Sequence, residues 1–258
     1  MLRLSLFLLA LLVAAASGPA AAQGHDGDVP FPEYPDFVLG AAHGPKSYTL
    51  ALLDQFELAP AAAGLPGRFD GLIRTGTDYN RLYLRAEGEG LLSEGTGEVE
   101  ARALYSRLIT SYFEAQAGVR VDTEFGDDGV RARPFLTVGL EGLAPYFFEV
   151  EPALFVSDAG DISARFEGSY DLLITQRLVL QPDVEINVAV QDVAHWGVGS
   201  GLNDTELGLR LRYEVRREIA PYVGVNWTQR YGAAADFARA EGGSASEANV
   251  VFGIRLWR

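Results

Sequence analysis

Residues 205–216 read TELGLRLRYEVR, and their alternation decides the fold class. Leu207, Leu209, Leu211, Tyr213 and Val215 fall on one face of an extended chain. Glu206, Gly208, Arg210, Arg212, Glu214 and Arg216 fall on the other. Successive side chains of a strand point to opposite sides of the sheet, so this stretch builds one apolar and one charged wall. Residues 113–123 repeat the pattern, with Phe113, Ala115, Ala117, Val119 and Val121 opposite Glu114, Gln116, Arg120 and Asp122. Residues 178–190 set Leu180, Val184, Ile186 and Val188 against Gln181, Asp183, Glu185 and Asn187, and residues 162–170 place Arg165 and Glu167 on their polar side.

A soluble sandwich also alternates, with its polar face in water. Strand length and turn length argue for a different solution. The expected strands are 48–59, 67–76, 79–91, 97–109, 111–123, 132–143, 145–157, 161–175, 177–190, 203–217, 220–231 and 248–258. Many run to ten residues or more, against about five or six in soluble sheets. The connections at Thr77-Asp78, Thr110, Ala144, Gln176 and Glu218-Ile219 are short; those near 61–66, 88–96, 124–131, 157–160, 191–202 and 232–247 are mostly longer. Aromatic residues gather at strand ends: Tyr112 and Phe113, Tyr146 to Phe148, Tyr222, Trp227 and Trp257. The expected fold is all-β, a transmembrane antiparallel β-barrel of about twelve strands with short periplasmic turns and longer extracellular loops. An even strand number puts both ends of the barrel on the periplasmic side. A closed barrel satisfies every backbone group without water. It also accounts for a mean hydropathy of +0.06 in a chain with no long internal apolar run.

Upstream of the barrel, Arg3, the apolar run 6–16 and Ala20-Ala21-Ala22 before Gln23 have the layout of a cleaved signal peptide, residues 1–22. Residues 23–46 hold Pro30, Pro32, Pro35 and Pro45 among Gly and acidic residues, and read as a disordered periplasmic segment. Residues 47–258 form the barrel, placed in the outer membrane of a Gram-negative bacterium, with outer-membrane lipid as its surroundings.

Composition removes several function classes. There is no Cys, and Met1 is the one Met, so thiolate metal sites, disulfides and a Cys nucleophile are excluded. A formal charge of −14 disfavours nucleic acid. Inward carboxylates Glu114, Glu149, Glu151, Glu167, Asp183, Glu185 and Glu206 are expected to attract cations, with Arg120, Arg165, Arg210 and Arg212 pairing with them. Such charges either fill the lumen as an ionic network or line a pore. An enzyme is not expected. His195, beside Trp196 and Ser200, is the one His in the barrel region, and its Gly-rich loop is not a nucleophile motif.

Four blocks carry a more specific signal: YNRLYLRAEGE at 79–89, GLAPYFFEVE at 142–151, YDLLITQRLVLQP at 170–182 and GSGLNDTELGLRLRYEVRREIAPYVGVNW at 199–227. Together they make residues 46–258 resemble the copper resistance protein B family. The resemblance implies an outer-membrane barrel of a copper-tolerance system that binds or helps to export copper, with a periplasmic multicopper oxidase of the same system as a candidate partner. Family members usually carry a Met- and His-rich segment before the barrel. Here that segment has no Met, and its candidate copper ligands reduce to His25, Asp26, Asp28 and His43, suited to Cu(II) rather than Cu(I). The second reading is a structural barrel or small nonspecific porin without metal specificity; an outer-membrane hydrolase ranks below both. Arg258 stands where barrels of this kind commonly end on an aromatic residue.

Overall fold

The computed structural model describes residues 46–126 and 129–258. The strands are β1 (Tyr48–Leu58), β2 (Pro66–Gly76), β3 (Asn80–Leu91), β4 (Thr96–Leu108), β5 (Phe113–Gly126), β6 (Gly129–Ala144), β7 (Phe148–Ser157), β8 (Ile162–Ser169), β9 (Leu172–Leu173), β10 (Leu178–Ala189), β11 (Gly201–Tyr213), β12 (Ile219–Arg230) and β13 (Ser246–Trp257). The two-residue β9 continues β8 along the same edge of β10, so the two make one stave. Each stave pairs antiparallel with the next in chain order, and β13 returns to β1, closing a twelve-stave barrel. The expected fold class is the observed one. The signal-peptide reading and all of residues 23–46 except Lys46 lie outside the described residues.

The barrel is apolar outside and charged inside. Leu207, Leu209 and Leu211 are about 40% exposed on the outer wall, while Glu206, Arg210 and Arg212 are buried. Val119, Leu136, Val138, Leu154, Val223, Val225 and Phe252 extend this exposed apolar band around the ring. It is the surface that a hydrocarbon layer covers.

Three details correct the expected layout. The connection near 124–131 is a tight hairpin, because β5 runs to Gly126 and β6 starts at Gly129. Opposed pairs Glu124↔Arg131 and Asp122↔Arg133 hold this hairpin, and opposite charges directly across a ladder stabilise it. The connections at 92–95 and 158–161 are also short, so the loop-end excess is carried by 59–65, 190–200 and 231–245. The last of these contains a helix, α1 (Gly232–Ala240), where a loop was expected.

The strand expected over 161–175 breaks at Tyr170-Asp171. Pro182 on β10 accepts the Tyr170 N–H at 3.1 Å but has no N–H to return. Tyr222 is not a girdle residue. It shares parity with Ala220 and Asn226, is buried in the lumen, and lies over Gly253, whose missing side chain makes room for it. The remaining turn-end aromatics are exposed: Tyr79, Tyr112, Tyr146 and Phe147 all exceed 60%.

Leu209 lies mid-strand on the outer face, so Leu209→Arg should destabilise the barrel by about 2–4 kcal/mol in a bilayer. Urea unfolding in phospholipid vesicles measures this, and a change below about 1 kcal/mol would refute the lipid-facing assignment.

Candidate functional site

Alternation sends the charged half of each strand inward, and register then lines up residues of one sign. Glu151, Glu167, Glu185 and Glu206 stand directly opposite one another on β7, β8, β10 and β11. On β3, β4 and β5, Glu87, Glu100 and Asp122 form a second acidic row, and Arg85, Arg102 and Arg120 form a basic row beside it. Like charges opposed in this way repel. They are neutralised along the strand, on the diagonal and across the bore.

Along one strand, Arg102 Nε lies 2.7 Å from Glu100 and Arg120 Nε 2.6 Å from Asp122, and on the cross-strand diagonal Arg120 lies 2.8 Å from Glu100. Across the bore, Arg165 reaches from β8 to Glu100 on β4 at 3.0 Å and to Glu87 on β3 at 3.4 Å. On its own wall Arg165 is 3.3 Å from Glu185 and 3.6 Å from Glu167. Arg85 on β3 pairs with Glu151 on β7, and Arg68 on β2 pairs with Glu206 on β11. Phe155, 1% exposed, forms a floor for this belt, with the Arg120 and Arg165 guanidiniums 4.4 and 5.9 Å from its ring centroid. A guanidinium over an aromatic face is held by the ring quadrupole while its edge still donates to carboxylates.

The other expected site residues fall into separate groups. Arg210 donates to Glu57 at 2.6 Å and pairs with Asp183. Arg212 donates to Asp171 at 2.7 Å. Glu114 accepts from Arg81, from the Tyr83 hydroxyl at 3.0 Å and from Ser106 Oγ at 2.6 Å. Glu149 accepts from Ser169 Oγ at 3.2 Å and has no guanidinium partner. The metal candidates His25, Asp26, Asp28 and His43 lie outside the described residues. Among the described residues, no group of three or more His, Asp and Glu is arranged to hold a metal ion.

Sequence reading did not single out Arg68, Glu57 or Asp204; Arg85 and Arg102 alternate onto the inward side of β3 and β4, where charges are expected to pair or be hydrated. In β2 the run RFDGLIRTG alternates weakly, so the parity of Arg68 was hard to read. Asp204 follows Asn203, which breaks the apolar–polar rhythm at the head of β11. Like Glu149, Asp204, Glu98 and Glu141 line the lumen without a guanidinium. Asp204 accepts from Asn187 Nδ2 at 2.9 Å and Glu141 from Gln116 Nε2 at 2.6 Å.

One lumen cavity of about 1450 Å³ touches Asp78 and Tyr112 at the turn end and Trp196 and Ala234 at the loop end. The two longest loops meet over its mouth. A Cβ on Gly199 would sit 2.7 Å from Ala234 N of α1, so only Gly permits this approach. Trp196 lies 5.3 Å from Arg131 and 5.7 Å from Arg133, and Arg131 also donates to the His195 carbonyl at 3.0 Å. Arg133 is tied in turn to Asp161 in the β7–β8 turn. Desolvation pushes the Asp161 carboxyl up, but hydrogen bonds from Ser157 and Gln191 and the charge of Arg133 together hold it below its usual range.

Comparison with known proteins places this geometry in a family. The model of the copper resistance protein B precursor matches residues 47–258. The chain belongs to the copper resistance protein B family. It is 41% identical over 219 residues to copper resistance protein B of Escherichia coli, covering 84% of this chain and 72% of that protein. It is 42% identical over 212 residues to a copper resistance protein B homolog of Pseudomonas syringae pv. tomato, covering 82% and 70%. Among solved structures, the NanC porin covers 80% of this chain and 98% of its own, with a TM-score of 0.50 at 13% identity, which shows a shared outer-membrane barrel fold.

Arg165 is nearly buried among carboxylates, so Arg165→Gln should cost about 3–5 kcal/mol by leaving them uncompensated. The Arg239–Asp236 pair on α1 is exposed, and Arg239→Gln should cost less than about 1 kcal/mol. Parallel urea titrations of the two variants measure the contrast; equal losses would refute the assignment of the lumen belt as the stabilising network.

Proposed function

We propose that this outer-membrane barrel supports copper resistance by admitting copper ions to an acidic lumen and easing their removal from the periplasm. Support comes from the family and from one feature of the lumen. Glu141 and Glu149 lie toward the turn end, Asp204 and Glu98 toward the loop end, and none is in an ion pair with a guanidinium. Carboxylate oxygens are hard donors suited to Cu(II) and other divalent cations. Spread along the bore, they offer successive weak stops rather than one tight site, and binding must be weak enough for an ion to leave. The belt of Arg68, Arg85 and Arg165 crosses the bore between them, so passage requires these ion pairs to rearrange. The role is non-enzymatic, and the turn end faces the periplasm.

The crossing belt equally favours a second reading, a structural barrel whose lumen is closed by its own charges. Purified protein in copper-loaded liposomes separates the two. On the first reading, wild-type protein releases copper and the variant E98Q/E141Q/E149Q/D204N releases it several-fold more slowly. No release above protein-free liposomes, together with unchanged copper tolerance on gene deletion, would overturn the proposal. A copper titration with and without residues 23–46 shows what His25, Asp26, Asp28 and His43 add.

A further inference from the structure

Of the twenty Lys and Arg residues described, Lys46, Arg74, Arg107, Arg177, Arg216, Arg217, Arg230 and Arg258 are in no ion pair. Arg74 and Arg230 line the lumen and donate to the Tyr83 hydroxyl and the Ser244 carbonyl. The other six are not among the residues lining the lumen cavity, and all six stand at the turn end. In a chain of net charge −14, six of the eight described cations without an ion pair have collected at one rim.

Four of them form an arc. Arg177 precedes β10, Arg216 and Arg217 lie in the β11–β12 turn, and Arg258 follows β13. Backbone hydrogen bonds tie the pieces together: Glu214 N–H donates to Arg177 O at 2.8 Å, and Trp257 N–H to Glu218 O at 3.2 Å. The Trp257 indole N–H donates to Arg217 O at 2.6 Å. Two side-chain carboxylates, Glu214 and Glu218, share the arc with its four guanidiniums. Beside it on the outer wall, Leu172, Ile174, Tyr213 and Val215 are 44%, 53%, 48% and 53% exposed, while Trp257, opposite the lumen-lining Leu52, stands at the edge of the bore.

We propose that this arc binds the phosphates of anionic lipid headgroups in the leaflet at the turn end. Guanidinium forks match phosphate oxygens bidentately. The adjoining Leu172, Ile174, Tyr213 and Val215 side chains continue the outer band that hydrocarbon covers, so the arc lies at headgroup height, where amphipathic rings and basic side chains anchor a span. That continuity favours a lipid over an acidic soluble protein, which would meet exposed Leu and Ile side chains rather than a polar rim. The arc thus sets the depth and lipid neighbourhood of the barrel independently of copper.

The test uses Tyr213→Trp, on the outer wall beside the arc, as reporter in the background W196F/W227F/W257F, reconstituted in bilayers that mix brominated phosphatidylglycerol or brominated phosphatidylcholine with unlabelled lipid. Quenching by the anionic lipid should exceed that by the zwitterionic one by about twofold or more at low salt. R177Q/R216Q/R217Q should bring the ratio to about one, while R239Q at the far end leaves it unchanged. Heat-modifiable gel mobility reports folding; if the triple variant does not fold, R217Q alone must lower the ratio. Equal quenching in the parent, or a preference that survives removal of the guanidiniums, overturns the proposal. Competition by inorganic phosphate at millimolar concentration would assign the arc to free phosphate and overturn it as well.

Discussion

Like charges stacked directly across a sheet are the constraint on which this barrel depends. The row Glu151–Glu167–Glu185–Glu206 repels itself, and so does the row Arg85–Arg102–Arg120. Neither wall is tolerable as an open sheet in a low-dielectric setting, where uncompensated charge is costly. Closure brings the walls together, so that Arg165, Arg85 and Arg68 reach carboxylates four or five staves away. The β1–β13 pairing removes the sheet edges that lipid could not satisfy, and the same closure neutralises the lumen. Backbone and side-chain requirements are met by one topological act.

The same network bears on function. A bore crossed by guanidiniums is not a simple water-filled pipe, and its charge-selective stops sit on either side of the crossing. Over the mouth, the 190–200 loop meets α1 at Gly199 and strand β6 through Trp196, Arg131 and Arg133. The barrel therefore pairs a charged mid-section with a packed outer end and a basic outer rim at the opposite end. Each of these lies at a different height, so each can be altered without the others.

Legibility in the sequence followed the physics of each feature. Period-two alternation is local, and it marked the inward parity of Glu114, Glu167, Arg165, Arg210 and Arg212 and the bounds of nearly every strand. It failed where local chemistry imitates a loop: the EFGDDG run at 124–129 looks like a solvated turn, yet opposed pairs across β5 and β6 carry the ladder through it. It failed again at Pro182, which reads as one residue of an alternating strand but breaks the hydrogen bonding of its neighbour β8. Tyr222 looked like a girdle residue because it is aromatic and near a strand end; parity with Ala220 and Asn226 outweighs aromatic character.

The sequence by itself determined the fold class, the family and which half of each strand faces the lumen, because these depend on alternation and on contiguous blocks. Only the tertiary structure decided which charge meets which. Register and closure join Arg165 to Glu100 and Arg68 to Glu206, residues 65 and 138 positions apart. No local pattern encodes such distances. The same applies to the carboxylates left over: Glu98, Glu141, Glu149 and Asp204 differ from their neighbours in no sequence feature, only in the lack of a guanidinium within reach once the barrel has closed.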